Sequence, residues 1–354
     1  MPSGGRGRGS MRPRGRIRAT AALVALIALP ASCTSGDRTP GTSPAPTYHP
    51  TGQLVALVGR FNGHFVVMDL RTGKTFDPSM PQIFGFWGRA WPGPGGRLYA
   101  MPLVFSADTR SRMYLFGGKE PPRHVGPPIR GGIGFQVAGR YAVVWTCPGV
   151  FLLDLSRPTR WDRVSGGCGA ALSPDGRRLA FETASGLWVT DVPRGKPREV
   201  LRFADLDELR RAHIARRSLE EVTWGVGGVA AAVGDSSDGA VVVWNEDRPP
   251  VVDVVGRARI GDMEWQPGGS LLAFIDHAPE GELFSLDART GEERQLAELG
   301  SELGDVGGVT WSPDGRVVGA ALSSNSMALV DPGVGRVGTV VTPGVPVAWL
   351  PNAS

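Results

Sequence analysis

The chain lacks any apolar run long enough to cross a bilayer as a stable helix, which takes roughly 20 residues. Its longest, residues 19–32, is short and is interrupted by Thr20 and Pro30. Catalytic signatures are missing too: there is no Gly-x-Ser-x-Gly elbow, no His-Glu-x-x-His pair and no phosphate-binding loop, and no second domain to hold a hydrolase. Histidine is scarce. His49, His64, His124, His213 and His277 include no pair at the i, i+4 spacing of helical metal ligands, so an imidazole-based metal site is not expected. Acidic residues are absent from positions 1–32, which carry six Arg, and the net charge of +4 for the whole chain therefore becomes −2 without that segment. A nucleic-acid partner needs a basic face on the folded domain; here the excess of positive charge lies ahead of it, and no nucleic-acid binding is expected.

What is present at the amino terminus reads as an address. Six arginines from Arg6 to Arg18 precede the apolar run, the pattern of a secretory signal peptide over residues 1–32, with Met1 or Met11 as its start. The run closes on Leu29-Pro30-Ala31-Ser32-Cys33, which resembles a bacterial lipoprotein signal, where small residues precede a Cys that becomes the lipid-bearing first residue. The resemblance departs at Pro30, where an aliphatic residue is usual. It implies lipidation of Cys33 and attachment to the outer face of the cytoplasmic membrane; the alternative is an ordinary secreted protein cleaved near Ala31. Residues 33–47, rich in Thr, Ser, Gly, Pro and Ala, read as a flexible tether. With Cys33 acylated, Cys147 and Cys168 remain as an even pair in an oxidising compartment, and a disulfide between them is predicted.

From residue 48 onward, 51 Gly and 30 Pro in the chain, with 41% hydrophobic residues, describe many short strands joined by turns. The turns repeat. Trp311-Ser312-Pro313-Asp314-Gly315-Arg316 and Ser173-Pro174-Asp175-Gly176-Arg177 are the clearest copies, with weaker ones centred on Pro50, Pro92, Ala138, Val226, Pro267 and Pro351. Their mean interval is 43 residues, the length of a four-stranded propeller blade. A second series keeps the same frame: β-rich runs at 65–69, 113–117, 150–154, 187–191, 241–245, 283–287 and 327–331, most ending in Asp. This pattern resembles the TolB-type, WD-like propeller repeats of exported bacterial proteins. The expected fold is all-β: a seven-bladed propeller over residues 48–354, closed by a C-terminal strand near 347–349 that joins blade one, with one short helical insertion.

The insertion is residues 205–217 (DLDELRRAHIARR), predicted as a helix capped by Asp205 with Arg210, Arg211, Arg216 and Arg217 making its far half basic. Gly333-Val334-Gly335-Arg336-Val337-Gly338 matches a dinucleotide fingerprint in letters only, since it precedes a strand, and is read as a hairpin turn. Asp262 and Glu264, placed on one face of an inner strand, with Glu221 and Asp305 near the starts of two others, are weak candidates for a divalent cation such as calcium; no other cofactor is expected.

Propeller geometry sends the Pro-Gly turns to one face, and the loops between second and third strands, with the blade-to-blade connections, to the other. Arg60, Asn62, Asp108, Arg110, Asp235, Asp238, Asp276, His277 and Asn325 fall on that second face, with Arg210 and Arg211 of the insertion, and are the candidate partner-binding residues. The expected function is a monomeric, non-catalytic cell-surface platform for an extracytoplasmic protein or envelope polymer. The alternative is a cation-dependent propeller enzyme acting on a sugar lactone or similar small molecule.

Overall fold

The structure, a computed structural model, describes residues 48–58, 64–78, 86–87, 90–103, 110–117, 121–147, 149–212, 214, 218–234, 238–254, 260–277, 281–299, 308–323 and 325–351. Seven four-stranded antiparallel sheets follow one another along the chain, with a two-stranded pair, Phe86–Trp87 and Pro102–Leu103, beside the second. They are the blades of the expected propeller. The seven β-rich runs are the third strands, His64–Asp69, Arg110–Phe116, Val150–Asp154, Gly186–Asp191, Gly239–Asn245, Glu282–Asp287 and Ser326–Asp331.

The repeated turn residues have a common chemistry. In two blades the Ser hydroxyl, Ser173 or Ser312, donates to Asp175 Oδ1 or Asp314 Oδ1 at 2.6 Å, and the same carboxylate oxygen accepts the N–H of Arg177 or Arg316 two residues on. The Ser173 hydroxyl holds the Asp175 carboxyl below its usual range. The Asp that ends a third strand works in the same way one hairpin later: Asp69, Asp154, Asp287 and Asp331 accept backbone N–H groups from Thr72, Ser156, Arg289 and Gly333 at 2.7–2.9 Å. The recurring Asp is therefore a turn-former. The fingerprint-like 333–338 segment is the last of these hairpins, running into the strand Gly335–Val341.

Each blade is apolar on both faces, because each is packed between two others. Val229, Ala231 and Val233 pack toward blade four, whereas Ala230 and Ala232 of the same strand pack toward blade six. The buried apolar residues accordingly fall into seven clusters, one at each blade-to-blade interface. Tryptophans of the inner strands bridge these interfaces by donating indole N–H groups to the neighbouring blade: Trp91 to Phe135 O at 3.0 Å and Trp311 to Glu264 O at 2.9 Å. Trp265 lies flat on the preceding blade's turn, where a Cβ at Gly225 or Gly227 would fall 2.3 or 2.2 Å from its ring. Only glycine leaves room there.

Blade one is completed by the chain's end. Val345–Leu350 is its innermost strand, pairing antiparallel with Gln53–Val58 from Gln53↔Leu350 to Leu57↔Val345. Trp349 packs with Leu54, Val317 and Met327, sealing the interface between blades seven and one.

The insertion between blades four and five is shorter than predicted. Its helix is Asp207–Arg211, preceded by a 3-10 turn Phe203–Asp205; Leu206 occupies the cap position and Asp205 does not cap. The reason is packing. Phe203, Leu206, Leu209 and Ile214 are all buried in the interface between these blades, and the chain must turn after Arg211 to place Ile214 there. Residues 213 and 215–217, including Arg216 and Arg217, lie outside the described residues.

Removing residues 346–354 takes away Trp349 and leaves Gln53–Val58 as an open edge. Stability is expected to fall by at least the ~3–5 kcal/mol of a buried Trp→Ala change, measured by urea unfolding; an unchanged midpoint would contradict closure by this strand.

Candidate functional site

All inner strands run from the loop face of the disc to the turn face. The loop-face half of their ring holds a cavity of about 150 Å³ lined by Trp91, Phe135, Gln136, Trp145, Glu221, Thr223 and Met263, among others. That volume accepts a single small ring. Its walls are aromatic on the side of blades two and three and polar on the side of blade five. Several polar atoms are already engaged: Gln136 Oε1 accepts Leu172 N–H at 2.6 Å, and the Trp91 indole is held as described above.

Glu221 links the cavity to the face. Its Oε2 accepts the N–H of Asp262 at 2.9 Å and its Oε1 that of Met263 at 2.6 Å, so the carboxylate sits on two successive backbone donors of the next blade. Those donors converge because the inner strand bulges between Gly261 and Glu264, where Asp262 adopts a left-handed φ of 54°. The bulge falls within the stretch expected to place Asp262 and Glu264 on one face. Asp262 Oδ2 stands 3.3 Å from His277 Nε2, and Gly261 lies beneath both His277 and Glu221. Glu221, Asp262 and His277 thus form one chain of contacts across the loop-face end of blades five and six, beside the fully buried Asp276. Among the described residues, no group of three or more His, Cys, Asp or Glu is arranged to hold a metal ion. Asp305 lies outside them.

The other candidates are spread around the face. Asp238 precedes the third strand of blade five, Asn325 lies between the second and third strands of blade seven, and Arg110 starts the third strand of blade two. Arg210 and Arg211 pair with Asp207 and Glu208 on their own helix, which packs against the outer strand of blade five, away from the cavity. Arg60, Asn62, Asp108 and Asp235 lie outside the described residues. Sequence reasoning missed Trp91, Phe135, Gln136 and Trp145; each reads as a core or turn residue in its own repeat, and only closing the ring brings them together.

Beside Trp145, Cys147 and Cys168 form the predicted disulfide, with Cα atoms 4.4 Å apart. It joins the loop between the second and third strands of blade three to the connection leading into blade four, where Gly149 N–H also donates to Gly167 O at 2.8 Å. The bond therefore staples the rim of the cavity.

The chain is a seven-bladed β-propeller. No protein-family model matches it, and no curated sequence resembles it. Solved structures do. A candidate 6-phosphogluconolactonase from Bacteroides uniformis superposes with a TM-score of 0.58 at 12% identity, over 84% of this chain and 98% of that one. A chain in the crystal structure of the mitotic checkpoint complex gives 0.56 at 15% identity, over 90% and 100%. Apo AztD from Citrobacter koseri gives 0.53 at 13%, over 84% and 96%. At such identities the likeness is one of fold.

The disulfide closes a loop for which chain entropy predicts roughly 3 kcal/mol of stabilisation. The Cys147→Ser, Cys168→Ser double variant is expected to lose about that much in denaturant unfolding, and the parent to lose it on reduction. Two free thiols by mass spectrometry, in protein kept oxidised throughout, would refute the bridge.

Proposed function

We propose that this protein is a lipid-anchored, extracytoplasmic binding platform, whose loop face receives another exported protein or an envelope polymer. The observation that carries this reading is the build of that face: varied connections stand on a closed, rigid ring, around a cavity sized for one ring-shaped group with an aromatic wall. A side chain or sugar ring of a larger partner fits such a socket, while the partner's bulk rests on the surrounding loops. Glu221, the carboxylate at the cavity, is oriented by two backbone N–H groups, a positioning that suits recognition of a donor-bearing group. The anchor is read from the arginine-rich apolar run and Cys33, and the TolB-type resemblance fits an exported platform.

A second reading is a propeller enzyme that uses a divalent cation, such as calcium, on a sugar lactone. It draws support from the acidic Glu221 and Asp262 at the channel and from the name of the Bacteroides neighbour. A calcium-dependent rise in melting temperature, abolished by chelator, would favour it over the platform.

Two measurements test the main reading. Cys33→Ala is expected to move the protein from a salt-washed membrane pellet to the medium, and unchanged partitioning would overturn the anchor. In intact-cell cross-linking, Arg210→Glu with Arg211→Glu on the loop face is expected to reduce partner capture, whereas Arg177→Glu with Arg316→Glu on the turn face is not. The reverse pattern would place the partner on the wrong face.

A further inference from the structure

Charge is segregated around the ring. Residues 48–202, blades one to four, carry 20 Lys and Arg against 10 Asp and Glu; residues 203–351 carry 11 against 23. The strand order puts much of the positive excess on the turn face, since the turns between first and second strands and the hairpins after the third strands emerge together there. Backbone bonds such as Leu155 N–H to Arg140 O and Val192 N–H to Arg177 O tie the two sets. Arg71, Lys74, Arg123, Arg157, Arg194 and Lys196 lie in those hairpins, are exposed, and make no ion pair among the described residues. The acids on the same crescent, Asp69, Asp154, Asp162, Asp175 and Asp191, are fewer than its cations and offset only part of their charge.

The chain also enters the ring on this face. Tyr48 donates its hydroxyl to Asp314 Oδ1 of the blade-seven turn at 3.4 Å and meets the Trp349 ring edge-on, with centroids 6.3 Å apart. Tyr48, the first described residue, thus lies on the turn face. Two of the most exposed large apolar side chains, Val226 at 64% and Val334 at 60%, stand at turn-face tips of blades five and seven.

From these placements we propose that the turn face of blades one to four docks on anionic lipid headgroups, so that the propeller lies turn face down on the membrane and presents its loop face outward. The orientation rests on the reading of Cys33 as the anchor. Fifteen residues of tether composition reach about 20 Å on average, and the attraction of a basic surface to an anionic bilayer extends over about one Debye length, roughly 10 Å. Each basic residue near such a surface adds about fivefold to partitioning.

The test uses the chain from residue 33 with Cys33→Ser, which carries no lipid and keeps the closed ring. It is expected to co-sediment with vesicles containing about 30% phosphatidylglycerol in phosphatidylcholine, at least about tenfold more than with phosphatidylcholine alone, and to be released by high salt. The quadruple variant R123E/R157E/R194E/K196E should lose that binding by more than about tenfold, while R210E/R211E keeps it; circular dichroism and the melting curve of each variant show that it is folded. Equal binding to both vesicle types, wild-type binding by the quadruple variant, or binding to soluble polyglutamate but not to vesicles would each overturn the proposal. Because no lipid is present, failure here leaves the anchor reading standing, and failure of Cys33→Ala to leave the salt-washed pellet sinks the anchor without touching this result.

Discussion

A propeller blade cannot be stable alone, because both faces of its sheet are apolar and each must be covered by a neighbour. The ring therefore depends on its closure, the pairing of Val345–Leu350 with Gln53–Val58. That pairing joins residues nearly three hundred positions apart, and until it forms, the interface between blades seven and one has nothing to pack against. Once it forms, seven equivalent cores exist and none is an end. The Trp indoles that reach across interfaces tie each inner strand to its neighbour, Trp91 to Phe135 and Trp311 to Glu264.

The disulfide and the Glu221 contacts act on top of that frame. Both lie at the loop-face end, both cross from one blade to the next or to its connection, and both hold cavity-lining residues. Trp145 is flanked by the Cys147 bridge, and Met263 is held through its backbone by Glu221. The border of the cavity on the loop face is thus tied from blade to blade.

Much of the fold was legible in the sequence because the repeat is written in turn chemistry. Ser-Pro-Asp-Gly and the Asp that ends most third strands make local hydrogen bonds that do not depend on the rest of the molecule, so the blade frame could be counted from them. The site was less legible. Asp262 and Glu264 read as a plain two-residue alternation, which does not reveal the bulge or the Glu221 bonds to its backbone; an Asp following Gly261, in a position that tolerates a left-handed φ, was the faint signal. The insertion was read as a longer helix because its charges continue to Arg217, whereas its end is decided by Leu209 and Ile214, which must both reach the same buried interface. The cavity itself had no local signature, since it is assembled from the inner strands of five blades.

The position of Tyr48 has a mechanical side. The strand that begins at Gln53 runs away from the turn face, so a pull applied at Tyr48 and directed away from that face acts along the strand's axis. Its hydrogen bonds to Val345–Leu350 and to His64–Asp69 would then be loaded in shear, all at once, not peeled one after another from an end. Tyr48 on Asp314 and Trp349 passes the first part of that load to blade seven and to the closing strand. The seam that closes the ring is in this way also arranged to bear tension applied at the start of its first strand.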